Sequence, residues 1–211
     1  MDDNRNLFAP RFTLKDLKIS EKKRVYQGFF AIDQYVMTYP RFDGKPPKAL
    51  KREIFERDHD AVAILPYDPV TKEVLLIEQF RPGALSDPDS PWLIEVVAGM
   101  IDDHETPEQA AVRELNEEAG IKIKKEDLTR ICAQYPSPGG ASECTTLYLA
   151  RTSLAHIADH GGLDVESEDI RVFKVKAEYA FKECFNGRIH NAAALITVMH
   201  LQLHQDELLK K

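Results

Sequence analysis

Cysteine, tryptophan and long apolar runs are what this 211-residue chain has least of. Its three cysteines, Cys132, Cys144 and Cys184, are odd in number and lack metal-ligand spacing. That argues against a disulfide framework and fits structural thiols in a reducing compartment. Cys132 and Cys144 could face each other across a hairpin, but a disulfide is out of place in a cytoplasm. No apolar run approaches the roughly 18 residues of a membrane span. The opening stretch MDDNRNLFAPRF has no apolar core of a signal peptide. The expectation is a soluble cytoplasmic protein with no membrane partner. Basic excess is missing too: the net charge is −7, which argues against a nonspecific nucleic-acid partner. An anionic ligand would have to be drawn in by local arginines or a metal. There is no internal repeat and no low-complexity tract.

What is present is enough apolar material, 43% of residues, for one domain of ordinary size with an appendage. Val25–Tyr39 is rich in aromatic and β-branched residues and reads as one or two strands. Asp43–Gly44 marks a turn and Pro46–Pro47 a break. Ala49–Arg57 fits a short strand or a helix, with strand favoured. Residues 1–57 are too few to make a core alone and should pack on the rest or on a second subunit. The expected division is therefore 1–57 and 58–211. Ala61–Pro66 and Val74–Phe80 form a hairpin around a Pro/Asp turn. Trp92–Ala98, Leu128–Tyr135, Thr145–Ala150 and Ile170–Lys176 read as further strands. Ser153–Asp169 is a long polar connection of the kind that is usually functional or disordered. Ala177–Phe185 is a short helix, and Asn191 can cap a final one through about His204. Strands on both sides of a central helix predict a mixed α/β sheet between helices.

The central helix carries the chemistry. Gly99 to Ile121 reads G-x5-E-x7-R-E-L-x-E-E-x-G-I. Thr106 can cap, Pro107 suits the first position, Gln109 completes a capping box and Gly120 suits the left-handed stop. A helix over Pro107–Ala119 puts Glu114, Glu117 and Glu118 on one face spanning roughly 100°. Val112, Leu115 and Ala119 take the neighbouring face. Like charges at these spacings repel by about 0.2–0.5 kcal/mol per pair. An acidic helix face ordinarily just meets water, but a hard divalent cation would turn that repulsion into a site.

Taken whole, the stretch resembles the Nudix box at every defined position, and the chain is identified on it as similar to Nudix hydrolases. The resemblance implies an α/β/α sandwich with a mixed sheet, preceded here by a small N-terminal antiparallel β region. It implies two or three Mg²⁺ ions, with Mn²⁺ able to substitute. Glu114 and Glu118 would be direct ligands, Glu117 a ligand or close support, and the Ala98 carbonyl part of the shell. Glu105 and Arg113 would pair to hold the loop on the helix. The general base would come from the acidic end of the long connection, Glu166 by position, with Glu168 second.

Further stretches resemble the bacterial ADP-ribose pyrophosphatase branch: Gly28-Phe29-Phe30, Arg52 to Arg57, Glu78-Gln79-Phe80-Arg81, Trp92 to Ile101, Ser137 to Gly140, Glu168 to Arg171 and Asn191-Ala192-Ala193. Pro136 and Pro138 fall where that branch carries a proline past the box. By this likeness Arg52 and Arg81 contact phosphate or terminal ribose, and Phe29 or Phe30 stacks on adenine. Ser142 and Glu143 line the substrate, Glu143 near ribose or metal. The N-terminal strands would be exchanged in a homodimer. The implied reaction is hydrolysis of ADP-ribose to AMP and ribose 5-phosphate. GDP-mannose or ADP-glucose is the alternative nucleoside diphosphate sugar. A ligand-sensing module without turnover is the competing class, disfavoured by the complete set of box glutamates. His200 and His204 have a zinc-compatible spacing but no third ligand nearby.

Overall fold

A computed structural model describes residues 7–162 and 168–208. The chain forms two compact units, one of Met1–Asp58 with Ser137–Ser142 and one of His59–Pro136 with Glu143–Lys211.

In the first unit, β1 (Lys18–Gln27), β2 (Ala31–Thr38) and β3 (Leu50–Glu56) form an antiparallel sheet in that order. The ladder begins earlier than the aromatic stretch suggests, because the polar run Lys18–Arg24 pairs with β2 along its length. Ala49–Arg57 resolves as strand. The segment Ser137–Ser142 joins β3: Phe55 N donates to Gly140 O at 2.8 Å and Ser142 N to Phe55 O at 3.0 Å.

The second unit is a mixed eight-stranded sheet. Its strands are β4 (Ala61–Asp68), β5 (Glu73–Phe80), β6 (Trp92–Glu95), β7 (Val97–Met100), β8 (Leu128–Gln134), β9 (Thr145–Arg151), β10 (His160–Gly161) and β11 (Ile170–Lys176). β4 and β9 run parallel; the other pairs are antiparallel. The helices are α1 (Pro107–Ala119), α2 (Ala177–Asn186) and α3 (Ala192–Leu208).

Period-two alternation sorts β4 and β5 between two cores. Val62, Ile64, Leu75 and Ile77 pack under α1 with Ala111, Leu115 and Ile121. Ala63, Leu65, Val74 and Leu76 face α2 and α3 with Ala180, Ala194, Val198 and Leu201. Covered on both faces, β4 is buried at every position, which is why it reads as a continuous apolar run. This is the expected α/β/α sandwich.

The stretch Trp92–Ala98 is not one strand. It breaks at Val96: β6 stays with β5 while β7 crosses to β4. β4 and β5 themselves pair only at Tyr67–Val74 and Asp68–Glu73 and then part. Cys132 lies opposite Leu147, and the ladder ends at Gln134–Thr145, so Cys132 and Cys144 do not face each other; all three cysteines are free. No described helix is long and apolar enough to cross a membrane.

Candidate active site

The site starts from how α1 is held. Thr106 Oγ1 accepts from Gln109 N at 3.3 Å while Thr106 N donates to Gln109 Oε1 at 2.8 Å. Gly120 ends the helix at φ 65°, and Ile121 N donates back to Leu115 O. With both ends fixed and Leu115 buried in the core, rotation of the helix is set. Glu114 and Glu118 turn inward toward β7, and Glu117 is left at the rim.

Glu118 is 3% exposed, and its Oε2 accepts from Ala98 N at 3.2 Å. Burial, with Glu114 and Glu168 adding repulsion, pushes its carboxyl up to about 9. Glu114 is pushed up to about 7, first by burial and then by Glu117 and Glu168, against the pull of Arg113. The loop glycine has a steric reason: a Cβ at Gly99 would overlap the Glu114 carboxylate. Helix and strand come this close only over glycine.

Arg113 knits the loop to the helix. Its Nε and Nη2 donate to the two Glu105 oxygens at 3.2 and 2.9 Å, and Nη2 also reaches Met100 O at 2.9 Å. That guanidinium holds the Glu105 carboxyl below its ordinary value. Nη1 meanwhile donates to Glu114 at 2.7 Å and Glu117 at 3.0 Å. So Arg113 does more than pair with Glu105; it also takes up two of the acids the sequence singles out for metal. Among the described residues no three acidic, histidine or cysteine side chains form a ready-made cation cage. The donor set nevertheless fits a hard divalent ion. Two buried carboxylates lie side by side, Glu114 against Arg113 and Glu118 on the Ala98 N–H, and all their donor atoms are oxygen.

Opposite α1 lies the end of the long connection. That connection is tethered at both ends. Thr152 N donates to Tyr67 O, Leu154 N to the buried Asp68 at 3.0 Å, and Val172 N to Asp159 O. Gly161 packs so tightly on the α1 terminus that a Cβ there would overlap the Glu118 carbonyl. Glu166 lies outside the described residues. Glu168 is described and half-buried. Ile170 pairs with Gln79, so two residues earlier Glu168 stands level with Arg81. Its charge acts on Glu114, Glu118 and Arg81 alike.

Arg81 donates twice to the buried Glu95, at 2.9 and 2.7 Å, and Asn191 completes that carboxylate at 2.8 Å. Burial pulls the Arg81 cation down, but Glu95, Glu118 and Glu168 more than offset this and hold it protonated. Sequence reads Asn191 only as a helix cap and gives Glu95 no individual role, although both sit in stretches that carry the resemblance. Glu143, half-buried, accepts from Thr145 Oγ1 at 3.2 Å.

The remaining predicted substrate contacts belong to the first unit. Phe29 is exposed and meets Phe30 edge-on at 4.7 Å. Phe30 packs on Phe55, and Arg57 lies over its ring at 5.4 Å. Arg52 is exposed, with Nη1 donating to Lys51 O. Ser142 Oγ accepts from Arg57 N and donates to Phe55 O, both at 3.4 Å. His200 and His204 stack at 4.2 Å, and His204 Nδ1 lies 2.9 Å from the His200 carbonyl.

Comparisons with known proteins agree with this geometry. The NUDIX domain model matches residues 57–189. The chain is 41% identical over 197 residues to an ADP-ribose pyrophosphatase of Escherichia coli K12, spanning 93% of each chain. It is 36% identical over 200 residues to an ADP-ribose pyrophosphatase of Haemophilus influenzae, spanning 93% of this chain and 91% of that one. A GDP-mannose pyrophosphatase of Cronobacter sakazakii is 32% identical over 190 residues, 89% of this chain and 96% of that one. A complete box folded as loop, capped helix and left-handed stop, in a domain matched over most of its length, has one reading: the chain belongs to the Nudix family.

Proposed function

We propose that this chain hydrolyses the pyrophosphate bond of ADP-ribose, giving AMP and ribose 5-phosphate. The observation that supports it best is the pair of buried carboxylates, Glu114 and Glu118, set on a capped helix against Ala98 and Gly99, with Arg81 and Glu168 across from them. The similarity to ADP-ribose pyrophosphatases over nearly the whole chain supports the substrate.

Glu114, Glu118, the Ala98 carbonyl and, at the rim, Glu117 would hold two or three Mg²⁺ ions, with Mn²⁺ as a substitute. The chemistry such ions supply when bound is neutralisation of the diphosphate and acidification of water. Arg113 then serves as the internal counter-ion that keeps these acids aligned, and Glu105 fixes Arg113. Arg81 presents a planar pair of donors to a phosphate. The base, Glu166 or Glu168, takes one proton from the attacking water as its oxygen bonds phosphorus and the bridging oxygen leaves. Arg52, Ser142 and one of Phe29 and Phe30 contribute substrate contacts in a homodimer with exchanged N-terminal strands; Glu143 adds another. The three free thiols support the reading of a reducing, cytoplasmic setting.

The relative named GDP-mannose pyrophosphatase keeps a second nucleoside diphosphate sugar in view. Ranking ADP-ribose, GDP-mannose and ADP-glucose by kcat/KM with excess Mg²⁺ decides between them. ADP-ribose should lead, and an intact ADP-ribose pool after prolonged incubation would end the proposal. Light scattering across a concentration series tests the dimer.

A further inference from the structure

Gln79 is a buried polar side chain in this neighbourhood that the reaction above does not use. It is 8% exposed, and its Oε1 is fully buried without a hydrogen-bond partner among the described residues. Buried amide oxygens are almost always satisfied, and an orphan in a native fold calls for an explanation. Its place in the sheet supplies one. Ile77 points into the core beneath α1, and alternation along β5 puts Gln79 and Arg81 on that same face. Gln79 therefore sits one step inward of Arg81. It is flanked across the ladders by the buried Ile170 and by Leu93, and Glu168 lies two residues before Ile170. It stands between the apolar cluster under α1 and the Arg81 guanidinium.

From this placement, and resting on the activity proposed above, we infer that Gln79 is a substrate-binding residue whose Oε1 accepts a hydrogen bond from a hydroxyl of the terminal sugar. The chemistry of a nucleoside diphosphate sugar selects that partner. Its phosphates carry only acceptors and suit the neighbouring guanidinium of Arg81. The donors of its phosphate-linked sugar are hydroxyls. An acceptor one residue pair inward of a phosphate-binding cation fits the sugar that follows the phosphate. A polar group left unsatisfied in the free protein and matched only by ligand also gives strong discrimination, because a ligand lacking the hydroxyl leaves it unsatisfied still.

Gln79→Met keeps the length and removes the acceptor; Gln79→Glu keeps the acceptor and changes the charge. A purely structural glutamine and a ligand-directed one respond oppositely. Removing an unsatisfied buried oxygen should leave the melting temperature of Gln79→Met equal to or above that of the parent. Meanwhile kcat/KM for ADP-ribose should fall by about 10- to 100-fold. Inhibition by the two product halves locates the contact. Ribose 5-phosphate should inhibit Gln79→Met at least about fivefold more weakly, while inhibition by AMP stays within about twofold. Gln79→Glu should retain more ribose 5-phosphate affinity than Gln79→Met. Unchanged kcat/KM in Gln79→Met overturns the inference, and so does weakened AMP inhibition with ribose 5-phosphate unaffected. So does a kcat loss with both inhibition constants intact, which would assign Gln79 to the attacking water instead. If Gln79→Met melts far below the parent, the residue is structural and the inference also fails. A parent enzyme that leaves ADP-ribose intact sinks the underlying activity, a result distinct from all of these.

Discussion

Two strands of similar length show how differently the two units are built. β4 in the second unit is buried at all eight positions; β1 in the first is exposed at all ten. β4 reads AVAILPYD and lies between two layers of helix. β1 reads KISEKKRVYQ, and Ile19, Val25 and Tyr26 stand in solvent. The order of the first unit comes from charge as much as from apolar contact. Asp33 on β2 is buried and accepts from Arg24 at 2.8 Å, with Lys22 at 3.0 Å. A sheet with an uncovered edge strand is held by pairs of this kind or by a partner. The difference teaches that the acidic cluster sits on the well-packed unit, while the thin unit leans on ion pairs across its sheet.

Predictions that sharpen this contrast begin with turnover. Of Glu166→Gln and Glu168→Gln, the one that replaces the base should lower kcat by about 10²–10⁴-fold; parental rates in both would remove the base from this loop. Glu118→Gln should reduce kcat by about 10²–10³-fold. It should leave the metal-free fold at least as stable, since a buried amide needs no proton taken up on folding. A large drop in its melting temperature would contradict that account. Next comes packing. Leu115→Ala, in the core under α1, should cost about 2–5 kcal/mol in urea unfolding. Val25→Ala on β1 should stay within about 0.5 kcal/mol at dilution. A larger Val25 effect that grows with protein concentration would show that association buries this strand.

The effect of pH differs in sign between the units. Hydrogen bonding from Arg24 holds the Asp33 carboxyl below its ordinary 3.8, though burial opposes it. Its contribution is therefore full above about pH 4 and is lost as pH falls through the lower folded value. Glu118 is raised by burial from 4.5 to about 9. The metal-free second unit should accordingly gain stability as pH falls from about 9 toward 4.5, and lose it as pH rises through that window. Melting of the chelated protein between pH 5 and 9 should show this slope, and Glu118→Gln should flatten it. Asp33→Asn should flatten only the decline below about pH 4. The same slope in Glu118→Gln as in the parent would refute the assignment.

Much of this was legible in the sequence because the signals were local. Thr106, Pro107, Gln109 and Gly120 bound α1 to the residue, since capping chemistry acts within one turn. β4, β5 and β11 followed from apolar runs. What was hidden depends on distant partners. The break at Val96 arises because β6 and β7 are claimed by different strands, and nothing in WLIEVVA marks that choice. Ser137–Ser142 reads as loop, yet pairs with β3 far back in the chain. Arg113 was legible as the partner of Glu105; its hold on Glu114 and Glu117 required the helix to be placed on the loop. Gln79 sits in VLLIEQF like any strand polar residue, and only its missing partner distinguishes it.

The parting of β4 and β5 has one more consequence. A sheet that stayed zipped from end to end would present an unbroken floor to α1. Here the seam opens after two residue pairs, and β6 and β7 peel to opposite banks. Arg81 and Glu95 stand on one bank, Ala98 and Gly99 on the other. The proposed active site thus lies along a fault in the hydrogen-bond lattice itself, with Val96 as its hinge stone. Insertions or deletions between Glu95 and Val97 should shift one bank against the other and spare the helices on either side.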